Sequence, residues 1–570
     1  MRVIRLAMVL CSLLVIAGCD DERGRDAMVA TADGRASEAA RDMLSAGGSA
    51  VDAAIAAQLV LGLVEPQSSG IGGGAFLLHW NEAANRIDAY DGRETAPAGV
   101  KPDLFLNEAG QPMPFMQAVV GGRAVGVPGV VAMLWQAHKE HGLLPWSQLF
   151  KPAIKLAREG FAISPRLADA IAEARPLLRD PSARAYLAMP DMSVPEGALP
   201  LPAGAVIRNE SYARTLERIA TMGPSGFYEG RVAQAIVDAV QSHPNPGTLS
   251  MSDLTGYRSI RREAVCGTYR KYEVCGMPMP SSGGLTTLMI LGMLDHYKLG
   301  QMQPLGTTAA HLLAEASALA FADRELYMAD SDQVAVPSAG LLDERYLAER
   351  ARLINPGKAF GTAAAGIPPG AELRAAGVDR ARAGTSHLSI VDAYGNAVSM
   401  TTSIEGPFGA HIMAAGFFLN NELTDFSFKP TGPDGRPVAN AVAPGKRPRS
   451  SMAPTIVLDD KGEFLATLGS PGGSRIIGYV TQTLVGLMDW DLTMQEAIDQ
   501  PQVLDRNGPV ELEERSAIVR NAPVLEEMGH KVSIRPSISG LQGIWRRGDR
   551  LEGGADRRRE GVVLELRGSR

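Results

Sequence analysis

The apolar positions of the chain change period several times, and each change predicts an element. From Ala36 to Leu63 the alanine-rich run places Met43, Leu44, Val51, Ile55, Leu59 and Val60 at helical spacing, and Gly47-Gly48 divides it into two helices. The glycine cluster at 70–74 then leads into Ala75-Phe76-Leu77-Leu78. It lacks a preceding strand and a following helix, which excludes a dinucleotide-binding loop. Val125-Gly126-Val127-Pro128-Gly129 opens a helical region, residues 143 to 258 are mostly helical in pattern, and 306 to 354 read as helices. Residues 355 to 384 are rich in Gly, Ala and Pro and read as an exposed linker. Two runs rich in β-branched and apolar residues follow, 384–392 and 397–405, around Tyr394-Gly395-Asn396. That pattern predicts a β-hairpin.

The hairpin carries the candidate chemistry. Its first strand begins Gly384-Thr385-Ser386 directly after the linker. If the chain is cut between Gly384 and Thr385, the new α-amine, with a pKa of about 8, serves as base for the threonine's own hydroxyl. The competing reading is that Thr385 simply starts a strand.

The run Gly384-Thr385-Ser386-His387-Leu388-Ser389-Ile390-Val391-Asp392, with Gly395-Asn396-Ala397-Val398-Ser399, resembles the maturation site of the γ-glutamyltranspeptidase (glutathione hydrolase) family. Further matches follow in the family's order over about residues 28 to 560. The resemblance implies an α+β fold, the four-layer αββα sandwich of N-terminal nucleophile hydrolases. It implies two subunits from one precursor, 19–384 and 385–570, and a small γ-glutamyl substrate such as glutathione.

It also implies roles for particular residues. Thr385 is the nucleophile, Arg93 grips the substrate α-carboxylate as a planar fork, and Glu422 and Asp425 hold its α-ammonium. Ser450 and Ser451 add hydroxyls to the carboxylate. The backbone N–H groups of Gly472 and Gly473 form the oxyanion hole. Pro280-Ser281-Ser282-Gly283-Gly284 is another match, and in some members a loop over 429–447 lids the site. Two positions depart from the family's best-known Thr-x-Asn: Ser403, which keeps the hydroxyl that steadies the nucleophile, and Glu405, which replaces an amide. Two like charges about 4 Å apart repel by ~1 kcal/mol in water and ~4 at an effective dielectric constant near 20. Glu405 therefore points to a different acyl group, to hydrolysis over transfer, or to a contact with the ammonium.

Composition narrows the rest. The 570 residues are 45% hydrophobic and 21% charged, a globular balance, and a net charge of −7 gives no case for nucleic-acid binding. Residues 1–18, with Arg2, Arg5 and a short apolar core, read as a signal segment ending before Cys19. A lipidated Cys19 makes the protein a periplasmic, membrane-anchored lipoprotein that meets the membrane through its lipid only. The alternative is an ordinary secretory signal. In that oxidising compartment Cys266 and Cys275 are placed to form a disulfide across a short hairpin, with two free thiols as the alternative. They lack the partners for zinc. His138 and His141 do not match a zincin pattern and read as an exposed helix face. Neither a metal nor a cofactor is implied. An acylase of the same fold and a catalytically silent, lipid-anchored binding protein remain as rival functions.

Overall fold

The computed structural model describes residues 26–194, 197–377 and 384–568. The signal segment and Cys19 lie outside them, as do linker residues 378–383. Two antiparallel sheets form the centre. Their strands are β1 (Ala27–Thr31), β2 (Gly74–Asn81), β3 (Arg86–Gly92), β4 (Ile260–Arg262), β5 (Val265–Tyr269), β6 (Tyr272–Gly276), β7 (Gly384–Val391), β8 (Ala397–Glu405), β9 (Thr455–Leu458), β10 (Phe464–Gly469), β11 (Gln542–Arg547), β12 (Arg550–Ala555) and β13 (Val562–Leu566). The seven-stranded sheet runs β13-β1-β7-β8-β2-β3-β4 and the six-stranded sheet β12-β11-β10-β9-β6-β5.

Strand alternation builds the layers. Leu388, Ile390, Val398 and Met400 point from β7 and β8 into one apolar core, shared with α1 (Gly34–Ser45), α2 (Ala50–Val64) and α3 (Val130–His141). Met28, Phe76, Leu78 and Trp80 leave the other face of the sheet and meet Ile456, Val457, Ala466 and Leu468 of the second sheet. Beyond that sheet lie α4 (Ser282–Leu294), α5 (Thr307–Tyr327) and α6 (Ile476–Met488). The result is the αββα sandwich. A Ser49–Asp52 capping box starts α2, which is buried nearly all round and correspondingly apolar on every side.

Beneath β7 and β8 the space between the sheets is polar and crossed by hydrogen bonds. Ser399 Oγ donates to Leu468 O at 2.9 Å, and Thr467 Oγ1 donates to Val398 O at 3.0 Å. His387 sits 2.8 Å from Thr401 Oγ1 and 3.1 Å from Ser389 Oγ. Burial pushes its pKa down to about 3, so it is a neutral structural imidazole. A Cβ on Gly469 would lie 2.3 Å from that ring, so a side chain there is excluded. These hydroxyls pin the hairpin to the second sheet and fix where Thr385 stands.

Cys266 and Cys275 are direct cross-strand partners in β5 and β6 and form a disulfide. Chain-entropy reasoning gives a ring of this size about 2–3 kcal/mol. The Cys266→Ala/Cys275→Ala protein is expected to lose that much in denaturant unfolding, with its activity unchanged.

One expectation is corrected. His138 and His141 do not form an exposed face. His141 turns inward from the end of α3, 3.3 Å from Asp88 Oδ2 and 2.7 Å from Tyr90 Oη, with its ring against that of His79. His138 faces Leu144 O at 2.9 Å. A three-residue step turns the two rings to different neighbours, and β3 supplies the polar groups that draw His141 in.

Candidate active site

Thr385 stands at the start of β7, on the face toward the second sheet, and is buried. Ser403 of β8 is its register partner. Gly384 pairs with Glu405, so Ile404 is an extra residue opposite the Gly384–Thr385 bond, and the ladder bulges there. Glu405 takes φ +72°, the left-handed region that a non-glycine residue enters only at a cost. The bulge brings Ser403 Oγ between three groups. It donates to Gly384 O at 2.9 Å, accepts from Glu405 N at 2.9 Å and lies 3.2 Å from Thr385 Oγ1.

Gly384 has no room for a side chain: a Cβ would approach Glu405 O to 2.4 Å. Gly384→Ala is therefore expected to displace the Gly384–Thr385 bond and slow self-cleavage by at least about tenfold, read as persistence of the uncut chain on a denaturing gel.

Two arginines brace the strand. Arg559 Nη1 donates to Thr385 O at 3.0 Å. Ser386 points to the opposite face and donates to Glu65 Oε2 at 2.8 Å, and Glu65 is paired with Arg166.

Arg93 follows β3 and is buried. Its Nη1 is bonded to Glu422, its Nη2 donates to Asp425 Oδ2 at 2.6 Å, and its Nε donates to Pro448 O at 3.0 Å. Glu422 and Asp425 bound one short helix, Glu422–Asp425. Burial works against the Arg93 charge, and the carboxylates of Glu422, Asp425 and Glu94 more than offset it. Burial lifts Glu422 to about 7 despite Arg93, and lifts fully buried Glu94 well above the carboxylate range. The fork expected to meet a substrate carboxylate is thus engaged by the two acids expected to meet the ammonium. An amino-acid ligand must exchange into this ion cluster.

Glu405 is buried and its Oε2 accepts from Asn421 Nδ2 at 2.5 Å. Asn421 Oδ1 in turn accepts from Gly406 N at 2.9 Å, which ties the carboxylate to the bulge. Ser451 Oγ accepts from Arg324 Nη2 at 2.6 Å, and Ser282 Oγ donates to Ser450 O at 2.6 Å. Arg324 Nε also bonds Ser282 Oγ at 2.8 Å, so α4 and α5 back the serine pair. Gly472 (φ +141°) and Gly473 (φ +62°) precede α6.

One narrow cleft of about 20 Å³ gathers these groups. The hairpin contributes Thr385, Ser403 and Glu405, the ion cluster contributes Arg93, Glu422 and Asp425, and Ser450, Ser451 and Gly473 complete the lining. Gly472 lies next to Gly473 in the chain but does not line the cleft. Residues 429–447 also contribute nothing to it. Arg324, Asn421, Arg559 and Glu65 were not singled out in the sequence. Ser282 lies in a glycine-flanked serine pair, the only local signal among them.

Comparison with known proteins decides the family. The gamma-glutamyltranspeptidase family model matches residues 36–566. The chain belongs to the gamma-glutamyltranspeptidase family. It is 37% identical to a glutathione hydrolase proenzyme of Bacillus subtilis strain 168, over 95% of this chain and 92% of that one. It is also 37% identical to an acylase ACY 1 proenzyme of Pseudomonas sp. strain SE83, over 91% of this chain and 89% of that protein. The solved cephalosporin acylase of Bacillus halodurans superposes with a TM-score of 0.82 at 28% identity, covering 95% of this chain and 96% of that one. This transpeptidase-family chain thus has the N-terminal nucleophile hydrolase fold. The family's enzyme class is transfer or hydrolysis of γ-glutamyl groups, and acylases stand beside it among the relatives.

Proposed function

We propose that the protein cuts itself between Gly384 and Thr385 and then cleaves γ-glutamyl amides, glutathione among them, through an acyl-enzyme on Thr385. The Ser403 hydroxyl held between Gly384 O and Thr385 Oγ1 carries this reading. In maturation Thr385 Oγ attacks the Gly384 carbonyl carbon, the peptide C–N bond breaks, and the resulting ester is hydrolysed. Ser403 stabilises the negative charge that develops on Gly384 O. Loss of one such donor costs about 10²–10³-fold. Ser403→Ala is expected to slow the appearance of the two chains by that factor in a time course.

In catalysis the free α-amine takes the Thr385 hydroxyl proton and Oγ attacks the substrate amide. The backbone N–H of Gly473, which lines the cleft, receives the oxyanion, and that of Gly472 joins it only if the loop turns toward the substrate. The amine leaves with the proton, and water or an amino acid resolves the ester. Arg93, Ser450 and Ser451 take the α-carboxylate, while Glu422 and Asp425 take the ammonium. Chains 19–384 and 385–570 remain interlocked, since β1 of the first pairs with β7 and β13 of the second. No cofactor enters the scheme.

The pH profile follows from two groups. The amine must be unprotonated, with a pKa of about 8, and Glu422, at about 7, must be ionised. Both requirements make kcat/KM rise with pH between about 6 and 8. Glu422→Gln is expected to remove the lower step and leave the upper one.

Glu405 favours a second reading, an acylase for another amide, because its carboxylate stands in the substrate cleft. Assay of the cleaved protein on a γ-glutamyl anilide and on a cephalosporin side-chain amide separates them. Turnover of the anilide, lost in Thr385→Ala, supports the first reading. Turnover of the second substrate alone supports the acylase. Ligand binding without cleavage or turnover would leave a silent binding protein.

The Arg2/Arg5 segment and Cys19 support a periplasmic lipoprotein. Among the described residues no helix is long and apolar enough to cross a membrane. Loss of membrane association on Cys19→Ser checks the anchor.

A further inference from the structure

Outside the cleft, His311, Glu315 and His530 meet at the outer helical layer. His311 and Glu315 are four residues apart on α5, hence on one face. Both are buried, and His530 follows the helix Ala522–Glu527 with little exposure. His311 Nε2 lies 2.8 Å from Asn355 O. A carbonyl oxygen only accepts, so Nε2 carries the hydrogen and Nδ1 keeps its lone pair. That Nδ1 is 2.7 Å from His530 Nε2, which is 3.9 Å from Glu315 Oε1. The three ligand atoms all lie within 4.8 Å of one another.

We infer that His311 Nδ1, His530 Nε2 and Glu315 Oε1 form a binding site for a divalent metal ion of the zinc class. Two imidazoles and a carboxylate are a donor set for such an ion. The Asn355 carbonyl fixes the tautomer and aim of His311 as an outer partner does for a metal-bound histidine. Tetrahedral coordination with metal–nitrogen bonds of about 2.0–2.1 Å sets ligand atoms about 3.3 Å apart. The histidine pair must open and Glu315 must approach by about 0.6 Å each, within the reach of side-chain rotation.

Electrostatics points the same way. Among the described residues Glu315 pairs with no arginine or lysine, and its ion-pair partner is His530. A bound cation gives the buried carboxylate a positive partner. The similar cluster His79, Asp88 and His141 is different. There Arg86 and Arg261 already hold the Asp88 carboxylate, and two guanidinium charges repel a divalent ion. Glu315 precedes the Gly384–Thr385 bond and His530 follows it, so the ion would join the two chains after cleavage.

The test uses the processed protein, stripped with a chelator and titrated with Co²⁺ as a spectroscopic substitute for Zn²⁺. One tightly bound equivalent with tetrahedral visible bands is expected, together with a rise in Tm on adding Zn²⁺. His530→Ala and Glu315→Gln, each with unchanged circular dichroism, are expected to bind at least about 100-fold more weakly. Absence of a stoichiometric equivalent in the wild type would overturn the site, as would wild-type affinity in either variant.

Discussion

Thr385→Ala is expected to abolish γ-glutamyl turnover, by at least about 10⁵-fold. Loss of a covalent nucleophile in comparable sites costs about 10⁶-fold in kcat. Here one residue supplies both the nucleophilic oxygen and, once freed, the amine that takes its proton. Alanine removes the first and, by blocking cleavage, the second. Thr385→Ser separates the two contributions. It keeps a hydroxyl 3.2 Å from Ser403 Oγ and should still process and turn over, more slowly. If the alanine variant hydrolyses a γ-glutamyl anilide at the wild-type rate, Thr385 is not the nucleophile.

Arg93 carries the second large effect. Arg93→Met is expected to lower kcat/KM for γ-glutamyl substrates by about 10²–10³-fold. Removing one partner of a buried ion pair costs about 3–5 kcal/mol because the other partner is left uncompensated. Here Glu422 and Asp425 lose their shared guanidinium, and fully buried Glu94 loses the cation beside it. The same loss should lower Tm. Arg93→Lys keeps the charge but not the fork that bonds Glu422, Asp425 and Pro448 at once, so it should recover only part of the activity. A fall in Tm with kcat/KM unchanged would make Arg93 a structural residue only.

Much of this was readable along the chain. The Gly47-Gly48 break, the Tyr394-Gly395-Asn396 turn and the β-branched, apolar runs of β7 and β8 depend on near neighbours, and the structure contains each of them. Cys266 and Cys275 were readable for the same reason, as partners across a hairpin of two five-residue strands held by local contacts. What escaped depends on pairing between distant segments. The bulge at Ile404 exists only in the register of β8 against β7. Arg324 lies in a helical stretch whose pattern does not distinguish a buried arginine reaching Ser451 from a surface one. His141 was misplaced because Asp88 and Tyr90, which draw it inward, are some fifty residues earlier in the chain. The engagement of Arg93 by Glu422 and Asp425 was also invisible, since the motif names the residues and not their bonds to one another.

The central claim is that Thr385 becomes a new N-terminus. Intact mass of the body lacking residues 1–19, beside its Thr385→Ala variant, tests it most directly. The account predicts two wild-type chains divided between Gly384 and Thr385, and one uncut chain in the variant. A folded wild-type protein that stays in one piece, or is cut elsewhere, would contradict it.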